Sequence, residues 1–207
     1  MTQRDIIIEH AMNMFVAQGI KAVRMDDIAR ELSVSKRTLY ELFGDKEELL
    51  YQSIIRYVER GNERRHKKMS EVSNELERII VCLRDMISNA STACRMRRNM
   101  LRFYPTVYHR LDEVAQQQTH RELQAWLTKS IEDGYVTQTA NSRLVIKVLM
   151  DISQGALLAE LHERENANEV IEMLTYSIII FIRGLCTVKG IEVIDRCFYD
   201  YFHNTEA

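Results

Sequence analysis

The sequence predicts an all-α protein: an N-terminal three-helix helix-turn-helix region followed by a longer helical bundle. Composition is the first reason. Seven glycines and a single proline, Pro105, in 207 residues are a poor supply of turns for an all-β chain, while good helix formers dominate. Spacing is the second, because apolar residues recur at helical intervals along nearly the whole chain. The third is punctuation: Gly19, the Ser33-Val34-Ser35 run and Gly44 divide the first fifty residues into short helices, whereas breaks are sparse afterwards. With 46% hydrophobic residues there is material for a sizeable core.

The elements follow in order. Over 4–18, Ile7, Ala11, Met14, Phe15 and Gln18 share one helix face, and Gly19 stands where a left-handed residue ends the helix. The second helix starts near Met25, with Asp26 and Asp27 at the positive end of its dipole, and buries Ile28, Ala29 and Leu32. Val34 is a lone apolar residue between two serines, and Ser35 is a good N-cap for a third helix from Lys36 that buries Leu39 and Phe43 and stops at Gly44. Asp45 caps the fourth helix, with Glu48 placed for a capping box. That helix carries Leu49, Leu50, Ile54 and Val58 and is expected to dissolve in the charged run ERGNERRHKKMSEVSNELER. Further helices are expected near 73–91, 95–103, 107–133, 141–164 and 167–188, with a short last one near 191–202. The clearest breaks are Pro105 and DGYVTQTAN at 133–141. Domains are drawn at 1–47 and 48–207.

Several function classes find no support. The charged start MTQRDIIIEHAMNMF does not read as a signal peptide. The most apolar run, YSIIIFI at 176–182, is far short of the ~20 residues a membrane span needs. Cys82, Cys94, Cys186 and Cys197 form no CxxC pair and have no histidine at zinc spacing. They read as reduced thiols of a cytosolic protein, with a redox sensor as the alternative. No metal site, cofactor motif, phosphate loop, nucleophile elbow or paired-acid constellation is present, so an enzyme is not expected. The net charge is −2, and residues 1–50 hold seven Lys/Arg against nine Asp/Glu. Nucleic-acid binding must therefore depend on where the cations sit rather than on their sum.

Two short helices joined by a tight turn with a third packed behind is the helix-turn-helix plan. Ala29 is small enough for close helix approach, Val34 plugs the turn, and Leu39 and Phe43 anchor the second helix from behind. Lys36, Arg37, Thr38 and Tyr40 are left near its exposed N-terminal end, where a recognition helix meets base edges and phosphates. Lys46 is placed to add a phosphate contact at the next helix start.

The stretch from Ile7 to Leu50 resembles the TetR-type repressor family. The resemblance is carried by Ile7-Ile8-x-x-Ala11-x-x-Met14-Phe15-x-x-x-Gly19, by Ile28-Ala29, by Val34-Ser35-Lys36-Arg37-Thr38-Leu39-Tyr40-x-x-Phe43, and by Lys46-x-x-Leu49-Leu50. It covers about a quarter of the chain. It departs at Ser33, where the family usually has glycine, which predicts a non-glycine residue at positive φ at a cost of about 1–2 kcal/mol. It departs again at Arg24-Met25, where a hydroxyl residue commonly caps the second helix; Arg24 is placed for a phosphate contact instead.

What the resemblance implies is a ligand-responsive transcriptional regulator, most simply a repressor. It would bind a pseudo-palindromic double-stranded DNA operator as a homodimer and be released by a small-molecule effector in the C-terminal bundle. The DNA-facing set is then Arg24, Ser35, Lys36, Arg37, Thr38, Tyr40 and Lys46. Met86, Met100, Phe103, Tyr104, Tyr108 and Trp126 are either ordinary core or the lining of an adaptable apolar effector pocket. The helices at 144–161 and 170–186 are apolar on more than one stripe. They are either core helices or, as in the family, a four-helix dimer interface through Leu149, Ile152, Gly155, Ala156, Ala159, Ile178, Phe181 and Ile182. The alternative is a helical ligand-binding or protein-interaction module with a vestigial DNA-binding end, for which the acidic balance of residues 1–50 speaks.

Overall fold

A computed structural model describes the backbone of residues 2–161 and 167–199, and the side chains of those ranges except at 116, 153–161, 167, 168, 170 and 171. The described elements are α1 Gln3–Gln18, α2 Met25–Glu31, α3 Lys36–Phe43, α4 Lys46–Met69, α5 Glu75–Phe103, α6 Pro105–Glu132, α7 Ser142–Leu161, α8 Ala167–Leu185 and α9 Val188–Cys197. Among the described residues there is no sheet, only an isolated antiparallel bridge between Val136 and Cys186.

Caps organise the N-terminal helices. Thr2 and Asp5 form a full capping box: the Asp5 N–H donates to Thr2 Oγ1 at 3.2 Å and the Thr2 N–H to Asp5 Oδ2 at 2.8 Å. Gly19 ends α1 at φ 88°, ψ 141°, a conformation glycine adopts without Cβ strain. The doubtful start of α2 is settled by Asp27, whose carboxylate accepts the Arg24 N–H at 3.0 Å. Asp45 caps α4 through the Glu48 N–H at 2.8 Å, but the Glu48 carboxylate is turned to Gln52 Nε2 at 2.8 Å and Arg110 Nη1 at 3.0 Å. Only half of that expected box forms.

Four element boundaries differ from expectation. α4 runs through the charged stretch to Met69. That stretch contains no proline and many straight-chain helix formers, and Met69 is itself buried. Gly61 is an interior residue of α4, and a Cβ there would meet nothing nearer than Arg64 Nη2 at 3.9 Å. The helices expected at 73–91 and 95–103 are one helix, α5, because no helix breaker separates them. Pro105 does not merely interrupt: it opens α6 at the first helical position, where its missing N–H costs nothing. The last helix starts earlier than expected, at Val188, because Thr187 Oγ1 accepts the Gly190 N–H at 3.3 Å.

The chain forms two compact units, residues 1–64 with 92–116, and residues 65–91 with 117–207. The first reaches beyond the 1–47 drawn from sequence because Leu49, Leu50, Ile54, Met96, Met100 and Val107 are buried in the same core as Ile7, Phe15, Ile28, Leu39 and Phe43. The core of the second gathers Leu76, Ile80, Leu127, Ile146, Ile178, Ile179 and Ile194 from α5 to α9. Within it, residues 185–190 clasp the turn after α6. The Thr137 N–H donates to the Leu185 carbonyl at 2.9 Å, the Thr187 N–H to the Tyr135 carbonyl at 3.0 Å, and Thr187 Oγ1 to the Gly134 carbonyl at 2.7 Å. Gly190 fits under this clasp only because it lacks a Cβ, which would lie 2.1 Å from the Tyr135 carbonyl oxygen. Arg183 and Asp195 pair through two hydrogen bonds of 2.8 and 3.1 Å, tying α8 to α9. That contact holds the Asp195 carboxyl below its ordinary value.

Candidate nucleic-acid interface

The turn between α2 and α3 closes as the residue pattern requires. The Ser33 N–H donates to the Arg30 carbonyl at 3.2 Å and the Val34 N–H to the Ala29 carbonyl at 3.0 Å. Ser33 sits at φ 53°, the one non-glycine residue at positive φ among those described. Ser35 Oγ accepts the Thr38 N–H at 3.0 Å and lies 2.8 Å from Thr38 Oγ1, capping α3. Leu39 and Phe43 are buried, and Ile28 and Ala29 of α2 join the same core.

This leaves one face of α3 to solvent. Lys36, Arg37, Tyr40 and Glu41 are exposed, with the Tyr40 residue 50% and the Arg37 side chain 87% accessible. The two cations are not idle, however. The Lys36 ammonium is paired with Asp26 of α2, and Arg37 Nε donates to Glu41 Oε1 at 2.7 Å. Exposed pairs of this kind are worth about 0–1 kcal/mol, so an incoming phosphate or guanine edge can replace either carboxylate at small cost. Arg24 is exposed at the start of α2. Lys46 is placed differently from its expected phosphate-facing role: half-buried, it donates to the Ile20 carbonyl at 2.6 Å, with its ammonium 5.3 Å from the Tyr104 ring centroid. Arg4, which sequence reasoning passed over, lies 5.5 Å from the Phe43 ring centroid. Its long separation from α3 in sequence left no local signal.

The six residues read as core or pocket are divided between the two cores. Met100 is buried in the first, Tyr104 and Tyr108 pack against it, and Phe103 is half-buried in the same unit. Met86 and Trp126 pack against the second. The second core contains a small apolar cavity of about 20 Å³ lined by residues including Leu76, Ile79, Leu127, Ile146 and Leu149, about room for one water-sized group.

The residues expected at a dimer face are placed unevenly. Leu149, Ile178 and Ile182 are buried inside the second core, with Ile152 and Phe181 packed against it, so this stripe is used within the subunit. Gly155, Ala156 and Ala159 lie outside the described residues. The second stripe of the same helices is the exposed one: Leu144 and Val148 on α7, and Met173, Tyr176 and Ile180 on α8. Their i, i+4 and i, i+3, i+7 spacings were visible in the sequence, but two apolar stripes on one helix do not say which faces inward.

Burial raises the Cys82 and Cys197 thiols and pushes Cys186 up to about 11. Protonated thiols of this kind are poor nucleophiles at neutral pH, which weighs against the redox alternative. Among the described residues, no group of three or more His, Cys, Asp or Glu could hold a metal ion. No described helix is long and apolar enough to cross a membrane.

A helix-turn-helix with a capped, outward-facing α3 is followed along the chain by long helices. Residues 7–52 match the model of the bacterial regulatory proteins, tetR family. The chain is 22% identical over 181 residues to YvkB of Bacillus subtilis (strain 168), an uncharacterised HTH-type transcriptional regulator, covering 86% of this chain and 95% of that protein. The crystal structure of a transcriptional regulator from Cytophaga hutchinsonii ATCC 33406 is similar with a TM-score of 0.75 at 17% identity, over 88% of this chain and 98% of the other. A TetR transcription regulator from Haloarcula marismortui ATCC 43049 gives 0.73 at 15% identity, over 90% and 100%. The tetR-family match is confined to residues 7–52, while the likeness to the solved structures extends over most of the chain as a shared fold.

Proposed function

We propose that the chain is a ligand-responsive transcriptional regulator, acting as a repressor. In this reading it binds a pseudo-palindromic operator as a homodimer in the cytoplasm and leaves it when a small molecule binds in the second unit. The observation that carries this is the capped α3 with Leu39 and Phe43 buried and Lys36, Arg37 and Tyr40 outward, inside a stretch that matches the tetR-family model. Lys36 and Arg37 have the chemistry to donate to guanine O6 and N7, and Thr38 and Tyr40 to phosphate oxygens. The exposed stripe of Leu144, Val148, Met173, Tyr176 and Ile180 supports the homodimer, since a contiguous apolar face on two adjacent helices favours burial against its own mate. The apolar walls of the cavity in the second core favour an apolar effector, and its small volume requires the helices to part as the ligand binds.

The deciding experiment is selection of DNA fragments by the purified full-length protein, followed by affinity measurements on Arg37→Ala and Tyr40→Phe. Enrichment of a palindrome is expected. Arg37→Ala should lose about 1–3 kcal/mol and relax preference at one base position, whereas Tyr40→Phe should weaken all sequences alike. The second reading, a ligand-binding module with a vestigial DNA end, draws on the internal pairing of Lys36 and Arg37. It predicts that no sequence is enriched.

A further inference from the structure

The cations of the first unit fall into two groups. Arg30, Lys36, Arg37, Arg56, Arg60, Arg97 and Arg110 each have a carboxylate partner. Arg4, Lys21, Arg24, Lys46, Arg64, Arg95, Arg98 and Arg102 form no ion pair among the described residues, and Lys21, Arg24 and Arg102 are among the exposed ones. Lys21, Arg98 and Arg102 lie near one another. The Lys21 ammonium lies 4.4 Å from the Phe103 ring centroid and the Arg102 guanidinium 5.2 Å from the same centroid. Arg98 stands four residues before Arg102 on one face of α5. Arg24, already assigned to the DNA-facing set, follows Lys21 by three residues in the α1–α2 connection.

The charge balance moves with them. Residues 1–64 hold ten Lys/Arg against eleven Asp/Glu, but residues 92–116 add five against two. The unit that reads as acidic from its first fifty residues is therefore basic once the end of α5 is included. Like charges held together without counter-ions repel, so a polyanion laid across them gains electrostatically without first displacing a carboxylate.

We propose that Lys21, Arg98 and Arg102 form an accessory surface for the DNA backbone, contacting phosphates beyond those met by α3. The surface adds affinity and register but no base preference. Lys21 stands three residues before Arg24, at the start of the helix-turn-helix, which favours duplex DNA over a separate small anion. This inference rests on the DNA-binding reading given above.

The test compares wild-type protein with Lys21→Gln, Arg98→Gln, Arg102→Gln and the triple variant, on the selected operator duplex and on a random-sequence duplex across a salt series. Each lost contact should lower the slope of log K against log salt by about 0.9, so with two copies in the homodimer a single variant should lose about 1.8 and the triple variant about 5.4. Affinity should fall by the same factor on both duplexes. Arg102→Lys should retain the slope, and the equal charge change Arg121→Gln/Arg143→Gln/Lys189→Gln, placed in the second unit, should leave it unchanged. Should the triple variant fail to fold by circular dichroism, the three single variants carry the same comparison. A wild-type slope in all of the α1–α2 and α5 variants, with Arg37→Ala still weakened, overturns the accessory surface alone. So does a slope change of equal size in the second-unit control, or pyrophosphate binding that depends on these residues while the duplex slope does not. Absence of DNA binding by the wild-type protein overturns the regulator reading itself.

Discussion

At the scale of the residue, Ser33 is the informative departure from pattern. It holds φ 53° without the glycine that makes this conformation free, and the turn hydrogen bonds on either side keep it there. Ser33→Gly relieves the Cβ strain but loosens the unfolded chain, so a net gain of about 0.5–1 kcal/mol is expected. Denaturant unfolding measures it, and a loss of stability would show that the serine makes a compensating contact. This strain was legible in the sequence, because the turn position and its usual glycine were both recognisable. The roles of Asp26 and Glu41 were not. A charge row gives no information on which cations are already paired, and only the approach of α2 to α3 brings Asp26 to Lys36.

Those pairs belong to the scale of the element. Glu41 and Asp26 compete with DNA for the two recognition cations, so Glu41→Gln and Asp26→Asn should each tighten operator binding by about 0.2–1 kcal/mol. Titration by fluorescence anisotropy reads this directly, and weaker binding in both variants would mean that the carboxylates orient the cations rather than occupy them. In the second unit the corresponding element is the clasp over the α6–α7 turn. Gly190→Ala drives a Cβ into the Tyr135 carbonyl, and an overpacking cost of about 1–3 kcal/mol is expected, with α9 displaced. Thermal unfolding of the variant checks the magnitude. Sequence spacing located α9 only loosely, since its start is fixed by a cap on Gly190 and by contacts with a turn some fifty residues earlier. The long helices were misjudged for a related reason. Charge in 59–69 resembles a solvated linker when read locally, yet a run of Glu, Arg and Lys continues a helix as readily as it ends one.

For the whole molecule, the sequence supports the all-α class and the N-terminal reading unit, while the use of each apolar stripe depends on tertiary packing. Of the eight residues expected at a dimer face, Leu149, Ile178 and Ile182 turn inward, whereas the outward apolar residues Leu144, Val148, Met173, Tyr176 and Ile180 were not among the eight. Tyr176→Glu/Ile180→Glu should therefore shift the protein toward monomer with its helix content intact, whereas Ile178→Glu should unfold the second unit. Sedimentation equilibrium with circular dichroism separates the two outcomes. An unchanged mass for Tyr176→Glu/Ile180→Glu would move the self-association to another face.

Gly61 gives the helix that carries it a particular mechanical character. α4 runs without interruption across residues 64 and 65, where the chain passes from one compact unit to the other. A glycine three residues before that crossing lowers bending stiffness where packing makes no demand for it, since its Cβ site is open. Gly61→Ala should stiffen the rod and stabilise the protein by about 0.5–1 kcal/mol. If compliance is what α4 supplies, the variant keeps its grip on the operator and loses part of its release by the effector, a protein made sturdier and less responsive by one methyl group.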